Sequence, residues 1–252
     1  MRRSVVALLA VFMICMALPA LAQDKSVDVG WVYATVPKPG MTKQLEEGRK
    51  KHMAWHKKQN DTWTWEIWQV ETGESAGNYL STTFGHSWQD LDAWEQKYGD
   101  ADTADGDVNM SPYVEKTVPS IWMFMKDASR PLTSGPPKLA QVSNYIIKPG
   151  KEPDFEDTIR KMNDAITKSN WPPHYSWFAL MDGGEQPHYA LVYYMDGWSG
   201  MAEPDPSFGA MLEKAVGKHD ADALTQTFDN SIQKEWAETI RFRPDLSYTP
   251  GK

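Results

Sequence analysis

The pattern of apolar and polar positions along the chain switches repeatedly between the period of a strand and the period of a helix. Runs rich in β-branched and aromatic residues end at Gly, Pro or Asn clusters, which is typical of strands and turns. Apolar residues that recur at three- and four-residue spacing instead indicate amphipathic helices. The first half is predicted to contain strands at 27–36, 63–71, 78–84 and 118–126, with helices at 41–59 and from Ser87.

The second half repeats this order of elements. Residues 38–88 align with residues 148–198 at a constant displacement of 110 positions, and ten of the 51 pairs are identical where composition alone gives roughly three. The duplicate is predicted to contain strands at 140–147, 174–181, 188–195 and 239–242, with helices at 153–169, 208–216 and 224–236.

Two successive strand-helix-strand-strand-helix-strand units predict an α+β fold made of two tandem ferredoxin-like repeats. The first repeat is assigned to 23–128, a Pro- and Gly-rich linker to 129–138 and the second repeat to 139–252. Helices on one side cover one face of each sheet, yet strands such as 63–70 are apolar or aromatic on both faces. The two sheets are therefore expected to pack face to face.

In its topology, its aromatic-rich strands and its duplication, the chain resembles the dimeric α+β barrel superfamily. That superfamily includes small cofactor-free antibiotic-biosynthesis monooxygenases, haem-binding enzymes and NIPSNAP-like proteins. The resemblance covers nearly the whole chain after residue 22 and implies a pseudo-dimeric α+β barrel. Because the internal repeat replaces a homodimer, we expect a monomer with pseudo-twofold symmetry.

The amino terminus has the pattern of a secretory signal peptide. Arg2 and Arg3 precede an apolar run at 5–18, and the small-x-small triplet 20–22 predicts cleavage before Gln23. We therefore expect a periplasmic or secreted protein without a stable membrane anchor, since the run is short for a membrane span. Cleavage would remove Cys15, the only cysteine, and leave 24 basic against 34 acidic residues. This acidity argues against a nucleic-acid partner.

His52 and His56 form the sharpest difference between the repeats. They lie one helical turn apart where the second repeat has Met162 and Ile166. We interpret the two imidazoles as candidate catalytic bases that could take a proton from an activated phenol-like substrate in a dry pocket. A purely structural role and ligation of a metal or haem remain alternatives. No metal and no cofactor is predicted, because the helix supplies no acidic third ligand.

Aromatic residues on the predicted strands suggest a pocket for a small apolar or aromatic molecule. His174 and His188, which begin the strands of the second hairpin, are expected to lie close together across it. The predicted ligand-binding residues are Trp63, Trp65, Tyr79, His174, His188 and Tyr189. The acidic segment 100–107 is interpreted as a solvated loop, because its spacing does not fit a calcium loop.

Two functions of different class follow from these residues. One is a small-molecule-binding protein, with or without cofactor-free monooxygenase-like chemistry at His52 or His56. The other is a non-enzymatic module with a solid barrel core, whose outer surface meets a protein partner.

Overall fold

Eight antiparallel strands close into a barrel in the computed structural model, which describes residues 28–251. Their order around the barrel is β1-β3-β2-β8-β5-β7-β6-β4. The predicted signal segment 1–22 lies outside the described residues. The strands are β1 (Val29–Pro37), β2 (Glu66–Val70), β3 (Tyr79–His86), β4 (Val114–Phe124), β5 (Leu139–Ile147), β6 (Tyr175–Asp182), β7 (His188–Met195) and β8 (Ile232–Phe242).

Each repeat supplies one four-stranded half of the barrel. The halves meet at two seams, where Trp68 of β2 lies opposite Phe242 of β8 and Trp122 of β4 opposite Leu180 of β6. Buried side chains from both repeats, such as Trp68, Val70 and Ile240, pack together between the two half-sheets. The predicted α+β fold with two ferredoxin-like repeats in one pseudo-dimeric barrel is confirmed.

The helices lie outside the barrel. They are α1 (Thr42–Lys58), α2 (Trp88–Trp94), α3 (Asp100–Asn109), α4 (Glu152–Lys168), α5 (Phe208–Val216) and α6 (Lys218–Ser231), with a π-helical turn at Glu95–Gly99 between α2 and α3. In the part of the chain that the structure describes, no helix has the length and apolarity needed to cross a membrane.

The helices α1 and α4 begin and end alike, as a duplication requires. Each follows a Lys-Pro-Gly turn whose glycine, Gly40 or Gly150, has a φ of +76° or +83°, a region that L side chains rarely adopt. Each helix is followed by an asparagine with positive φ, Asn60 or Asn170. The backbone at both ends of α1 and α4 is therefore alike, and the chemical difference between these two helices comes from their side chains.

The cores beneath the two helices differ in composition. In the second repeat, α4 packs an apolar face that includes Phe155, Ile159 and Met162 onto the sheet and onto α5 and α6. In the first repeat, the buried face of α1 includes Arg49 and His56. Burial of polar groups costs free energy unless they are paired, so the first repeat gives up apolar packing at this position.

Two predictions about secondary structure are wrong. The segment 224–236 was expected to be helical throughout, but α6 ends at Ser231 and β8 continues through Trp236, which lies opposite Asn144 of β5. Pairing along nearly the whole of β5 outweighs the local helical spacing. The acidic segment 100–107 is part of α3 rather than a loop, because it packs against α1.

Candidate functional site

A pocket of about 270 Å³ lies between α1, α3 and the outer face of the first-repeat sheet. Its walls include Tyr33, Arg49, His52, His56, Ser81 and Asp102. Both predicted catalytic histidines line this pocket, and so does Trp65, one of the predicted ligand-binding residues. A cavity is therefore present beside His52 and His56, the residues that most clearly distinguish the first repeat from the second.

Helical spacing aims one face of α1 into the pocket. Arg49, His52 and His56 follow one another at intervals of three and four residues and are all buried. Gly48 lets α3 approach this helix closely, because a Cβ there would collide with the backbone carbonyl of Asn109. This close approach places Asp102 and Asp105 of α3 beside the histidines.

Asp61 orients His56. Its Oδ2 atom lies 2.9 Å from His56 Nδ1 and accepts a hydrogen bond of 2.9 Å from Trp65 Nε1, while Oδ1 accepts one of 3.0 Å from the Trp63 backbone N–H. Burial alone would raise the pKa of Asp61, but these hydrogen bonds outweigh it and lower the pKa. Asp61 is therefore a carboxylate that holds the proton of His56 on Nδ1.

His52 has a matching partner in Asp105. Its Nδ1 lies 2.8 Å from Asp105 Oδ2, a distance at which Nδ1–H donates a hydrogen bond to that carboxylate. The Nε2 atoms of His52 and His56 both face Asp102 Oδ1, each at 3.4 Å. That oxygen is buried and has no hydrogen-bond partner within residues 28–251. Three electron-pair donors thus converge on one point at the edge of the pocket.

Arg49 is a buried cation without a carboxylate partner. Its side chain is 3 % exposed, Nη1 donates to Ser81 Oγ, and Nε has no hydrogen-bond partner among the described residues. The guanidinium carbon lies 5.7 Å from the centre of the Tyr79 ring. Burial lowers the pKa of Arg49 to about 10, so the guanidinium still carries its charge near neutral pH.

Aromatic rings surround the histidines and reduce contact with water. The His56 ring lies 5.2 Å from the Trp65 ring and 5.9 Å from the Tyr248 ring, centre to centre. Tyr33 lines the opposite side of the pocket, and burial, together with the charges of Asp102 and Glu95, raises the pKa of its phenol. Tyr33 is therefore a neutral hydroxyl that can donate a hydrogen bond.

Two of the predicted ligand-binding residues lie behind the wall of this pocket. Trp63 stacks on His86 with ring centres 3.6 Å apart, and it also contacts Trp94. Tyr79 is buried and donates a hydrogen bond of 2.6 Å to Glu46. Trp63 and Tyr79 therefore lie behind the side chains that line the cavity.

The remaining predicted ligand-binding residues lie in the second repeat and are not brought together. His174 and His188 were expected to be neighbours, which is wrong, because antiparallel strands begin at opposite ends of a hairpin. His174 is close to the Pro131 carbonyl, while His188 contacts the rings of Trp122 and Trp236. Burial, with a smaller effect of Lys234, lowers the pKa of His188 to about 4.

Tyr189 is the second-repeat counterpart of Tyr79. It donates a hydrogen bond of 2.7 Å to Glu156, just as Tyr79 donates to Glu46 at the equivalent position. The same pair at the same place in both repeats indicates a structural role that the duplication preserved.

Unlike this tyrosine–glutamate pair, the residues that line the pocket differ between the two repeats. At a displacement of 110 positions, polar or ionisable side chains in the first repeat correspond to apolar or aromatic ones in the second. The pairs are Arg49 with Ile159, His52 with Met162, His56 with Ile166, Asp61 with Trp171 and Ser81 with Leu191. One repeat has thus kept a packed core where the other has a polar pocket.

Sequence reasoning missed Arg49, Asp61, Asp102 and Asp105. The first two could have been found by extending the comparison of repeats beyond the histidines. Asp102 and Asp105 gave no such signal, since they lie outside the part of the repeat that aligns, and only the packing of α3 onto α1 brings them to the site.

The fold is a pseudo-dimeric α+β barrel with both halves on one chain, and the site is a polar pocket between α1 and the first half-sheet. No protein-family model and no curated protein matches the sequence. Solved structures do match, at sequence identities that establish the fold alone.

Three of these structures illustrate the likeness. A candidate monooxygenase from Lactobacillus acidophilus is 7% identical with a TM-score of 0.56, and the match covers 89% of this chain and 97% of that one. An anthrone oxidase-like protein is 11% identical with a TM-score of 0.52, covering 91% and 95%. A candidate chlorite dismutase is 11% identical with a TM-score of 0.52, covering 88% and 97%. These likenesses support the α+β barrel fold of this chain.

Proposed function

We propose that this chain is an exported protein that binds a small organic anion with an apolar or aromatic body in the first-repeat pocket. The observation that carries the proposal is Arg49, a buried guanidinium that lines the cavity and has no carboxylate within 4.0 Å among residues 28–251. Export is supported by the signal-peptide pattern of residues 1–22. The single chain supplies both barrel halves, which supports a monomer.

The electrostatics of Arg49 favour an anionic group in the ligand. A buried charge is costly when it is unpaired, and a guanidinium pairs best with a carboxylate that accepts two parallel hydrogen bonds. Nε has no hydrogen-bond partner among residues 28–251, so its donor capacity is unused in the free protein. A ligand carboxylate beside Arg49 would therefore remove a penalty that the free protein bears.

The size and lining of the pocket favour a compact, partly apolar molecule. A volume of about 270 Å³ lies just below the range of about 300–1,000 Å³ that is typical of small-molecule pockets. Trp65, Met53 and Val114 supply apolar surface near the polar groups. A single aromatic ring bearing a carboxylate suits these walls.

The chemistry we propose is proton transfer to or from the bound molecule. His52 and His56 each have Nδ1 beside a carboxylate, which fixes the orientation of the ring, and aromatic rings exclude water around them. A neutral Tyr33 can hydrogen-bond an oxygen of the ligand. Candidate monooxygenases of the same fold support this class of activity by analogy only.

Titration calorimetry with benzoate and with its neutral isostere benzamide tests the proposal. We expect benzoate to bind at least tenfold more tightly than benzamide, and Arg49→Gln to weaken benzoate binding about 10–100-fold, since a hydrogen bond to a charged group contributes about 1.5–3 kcal/mol. Arg160→Gln on α4 is the matched control, because it removes an arginine from the equivalent helix outside the pocket.

Two results would contradict the proposal. Equal affinity for benzoate and benzamide would show that the guanidinium does not select an anion. Failure of a panel of aromatic and aliphatic carboxylates to bind would favour the alternative of a non-enzymatic protein-interaction module.

A further inference from the structure

We infer that His52 Nε2, His56 Nε2 and Asp102 Oδ1 bind a divalent first-row transition-metal ion, with zinc as the best fit. The three ligand atoms lie within 4.8 Å of one another at the edge of the first-repeat pocket. The inference uses different side chains from Arg49, which carries the anion proposal, so either can hold without the other. A bound ion would occupy both Nε2 atoms, so the proposed proton transfer would then require another base.

Two carboxylates determine where the imidazole protons of His52 and His56 lie. Asp61 and Asp105 each lie within 2.9 Å of an Nδ1 atom and accept its proton in a hydrogen bond. A neutral ring with its proton on Nδ1 has a lone pair on Nε2. Carboxylate partners of this kind fix the tautomer and the ring orientation of histidines that bind metals. The structure therefore contains two oriented ligands and the groups that orient them.

The lone pairs on the two Nε2 atoms face a buried carboxylate oxygen. Both Nε2 atoms lie 3.4 Å from Asp102 Oδ1, a buried oxygen without a hydrogen-bond partner in the described chain. Two lone pairs and a carboxylate oxygen repel one another unless a positive charge lies between them. His52 and His56 are 5 % and 1 % exposed, so water screens this repulsion poorly.

The distances between the three ligand atoms fit a zinc ion. Zinc binds histidine nitrogen and carboxylate oxygen at about 2.0–2.2 Å in tetrahedral sites, and two ligands of such a site are then about 3.4 Å apart. The two Nε2–Oδ1 distances of 3.4 Å match this edge length. Three protein ligands would leave a fourth position for water or another small ligand, as in catalytic rather than structural zinc sites.

The local charge also favours a cation. Three carboxylates, Asp61, Asp102 and Asp105, contact two imidazoles that are neutral in this tautomer. A divalent ion would neutralise much of this charge. Haem fits less well, because Asp102 faces the Nε2 atoms of both histidines at the position that an iron ion and its porphyrin would need.

Zinc binding to chelator-treated, tag-free protein tests the inference directly. We expect one Zn²⁺ per chain by mass spectrometry under native conditions and by competition with a chromophoric chelator. Co²⁺ should give the visible absorption of a tetrahedral site. Saturating Zn²⁺ should also raise the unfolding midpoint of the wild-type chain, because only the folded state assembles the three ligands.

Substitutions that copy the second repeat provide variants that are expected to fold. His52→Met and His56→Ile introduce the side chains that already pack at positions 162 and 166 of α4. Each should lower zinc affinity at least 100-fold, and so should Asp102→Asn. Asp105→Asn removes only an orienting partner and should lower the affinity about 10–100-fold. His219→Gln is the control, since that exposed histidine lies on α6.

Two outcomes would overturn the inference. One is zinc binding that is equally tight in the wild type and in the His52→Met/His56→Ile double variant. The other is no stoichiometric binding of Zn²⁺ or Co²⁺ by a folded wild-type chain, which would mean that protons rather than a metal stabilise the cluster. Benzoate titrations with and without Zn²⁺ separate this result from failure of the anion proposal.

Discussion

Removal of the Asp61 carboxylate should be among the most destabilising single changes in the first repeat. The side chain is 2 % exposed and accepts hydrogen bonds from His56, from the Trp65 and Trp94 indoles and from the backbone of Trp63. Asp61→Ala would leave these four donors without their acceptor. Asp61→Asn would keep one acceptor oxygen but bring an amide N–H towards groups that are themselves donors.

The magnitude follows from the number of donors. Each buried donor without a partner costs about 1–3 kcal/mol, and breaking a buried charged pair typically costs 3–5 kcal/mol. Local relaxation and entry of water reduce the sum over four donors. We therefore expect Asp61→Ala to lower the free energy of unfolding by about 3–5 kcal/mol and Asp61→Asn by about 1–3 kcal/mol.

Urea unfolding followed by tryptophan fluorescence and far-ultraviolet circular dichroism measures this loss. The matched control is Asp245→Ala, which removes a half-exposed carboxylate paired with Arg243 and should cost at most about 1 kcal/mol. A loss for Asp61→Ala within about 0.5 kcal/mol of the control would refute the reasoning. Hydrogen bonding lowers the pKa of Asp61, so its contribution is present above pH of about 4 and is lost as the pH falls through the folded-state pKa.

Two further predictions concern the pH dependence of stability and the packing of α3. Because the folded-state pKa of His188 is lowered to about 4, its contribution is complete above pH of about 6.5 and is lost as the pH falls towards 4. Between pH of about 6.5 and 4, His188→Gln should therefore reduce the pH-dependent loss in the free energy of unfolding by about 1–2 kcal/mol, after discounting for partial exposure. Urea unfolding at several pH values measures this loss, and an equal loss in the variant and the wild type would contradict the prediction. Gly48→Ala should cost about 1–3 kcal/mol and weaken ligand binding, because the new Cβ displaces the Asn109 carbonyl and with it α3. Gly209→Ala, with open space around the Cβ position, is the control and should be neutral or slightly stabilising; equal effects of the two changes would argue against the close packing of α1 on α3.

The fold was predictable from the sequence because its signals are local and occur twice. The Lys-Pro-Gly turns, the amphipathic helices and the aromatic strands each recur after 110 positions, so an ambiguous segment in one repeat could be checked against the other. Prediction failed where that check was missing. Residues 224–236 have no aligned counterpart at this displacement, and their helical spacing gave way to pairing of β8 with β5.

The site was predictable only in part, for a similar reason. His52 and His56 could be recognised because an equivalent helix carries Met162 and Ile166 at their positions. Their partners come from elsewhere in the chain, 53 residues away for Asp105 and five for Asp61. Spacing on a single helix could not show a third ligand, and the prediction of no metal depended on that missing information.

The two repeats together show how a duplicated barrel can separate stability from function. The packed core beneath α4 buries Phe155, Ile159 and their neighbours and contributes hydrophobic free energy, while α1 carries charged and polar groups in a cavity. A closed barrel shares its strands across two seams, so the well-packed half can support the polar half. In a symmetric homodimer, any substitution that creates the pocket would appear in both halves and would cost stability twice. Fusion of the halves into one chain removes that constraint, and within residues 28–251 the buried charged side chains Arg49 and Asp61 both lie in the first repeat.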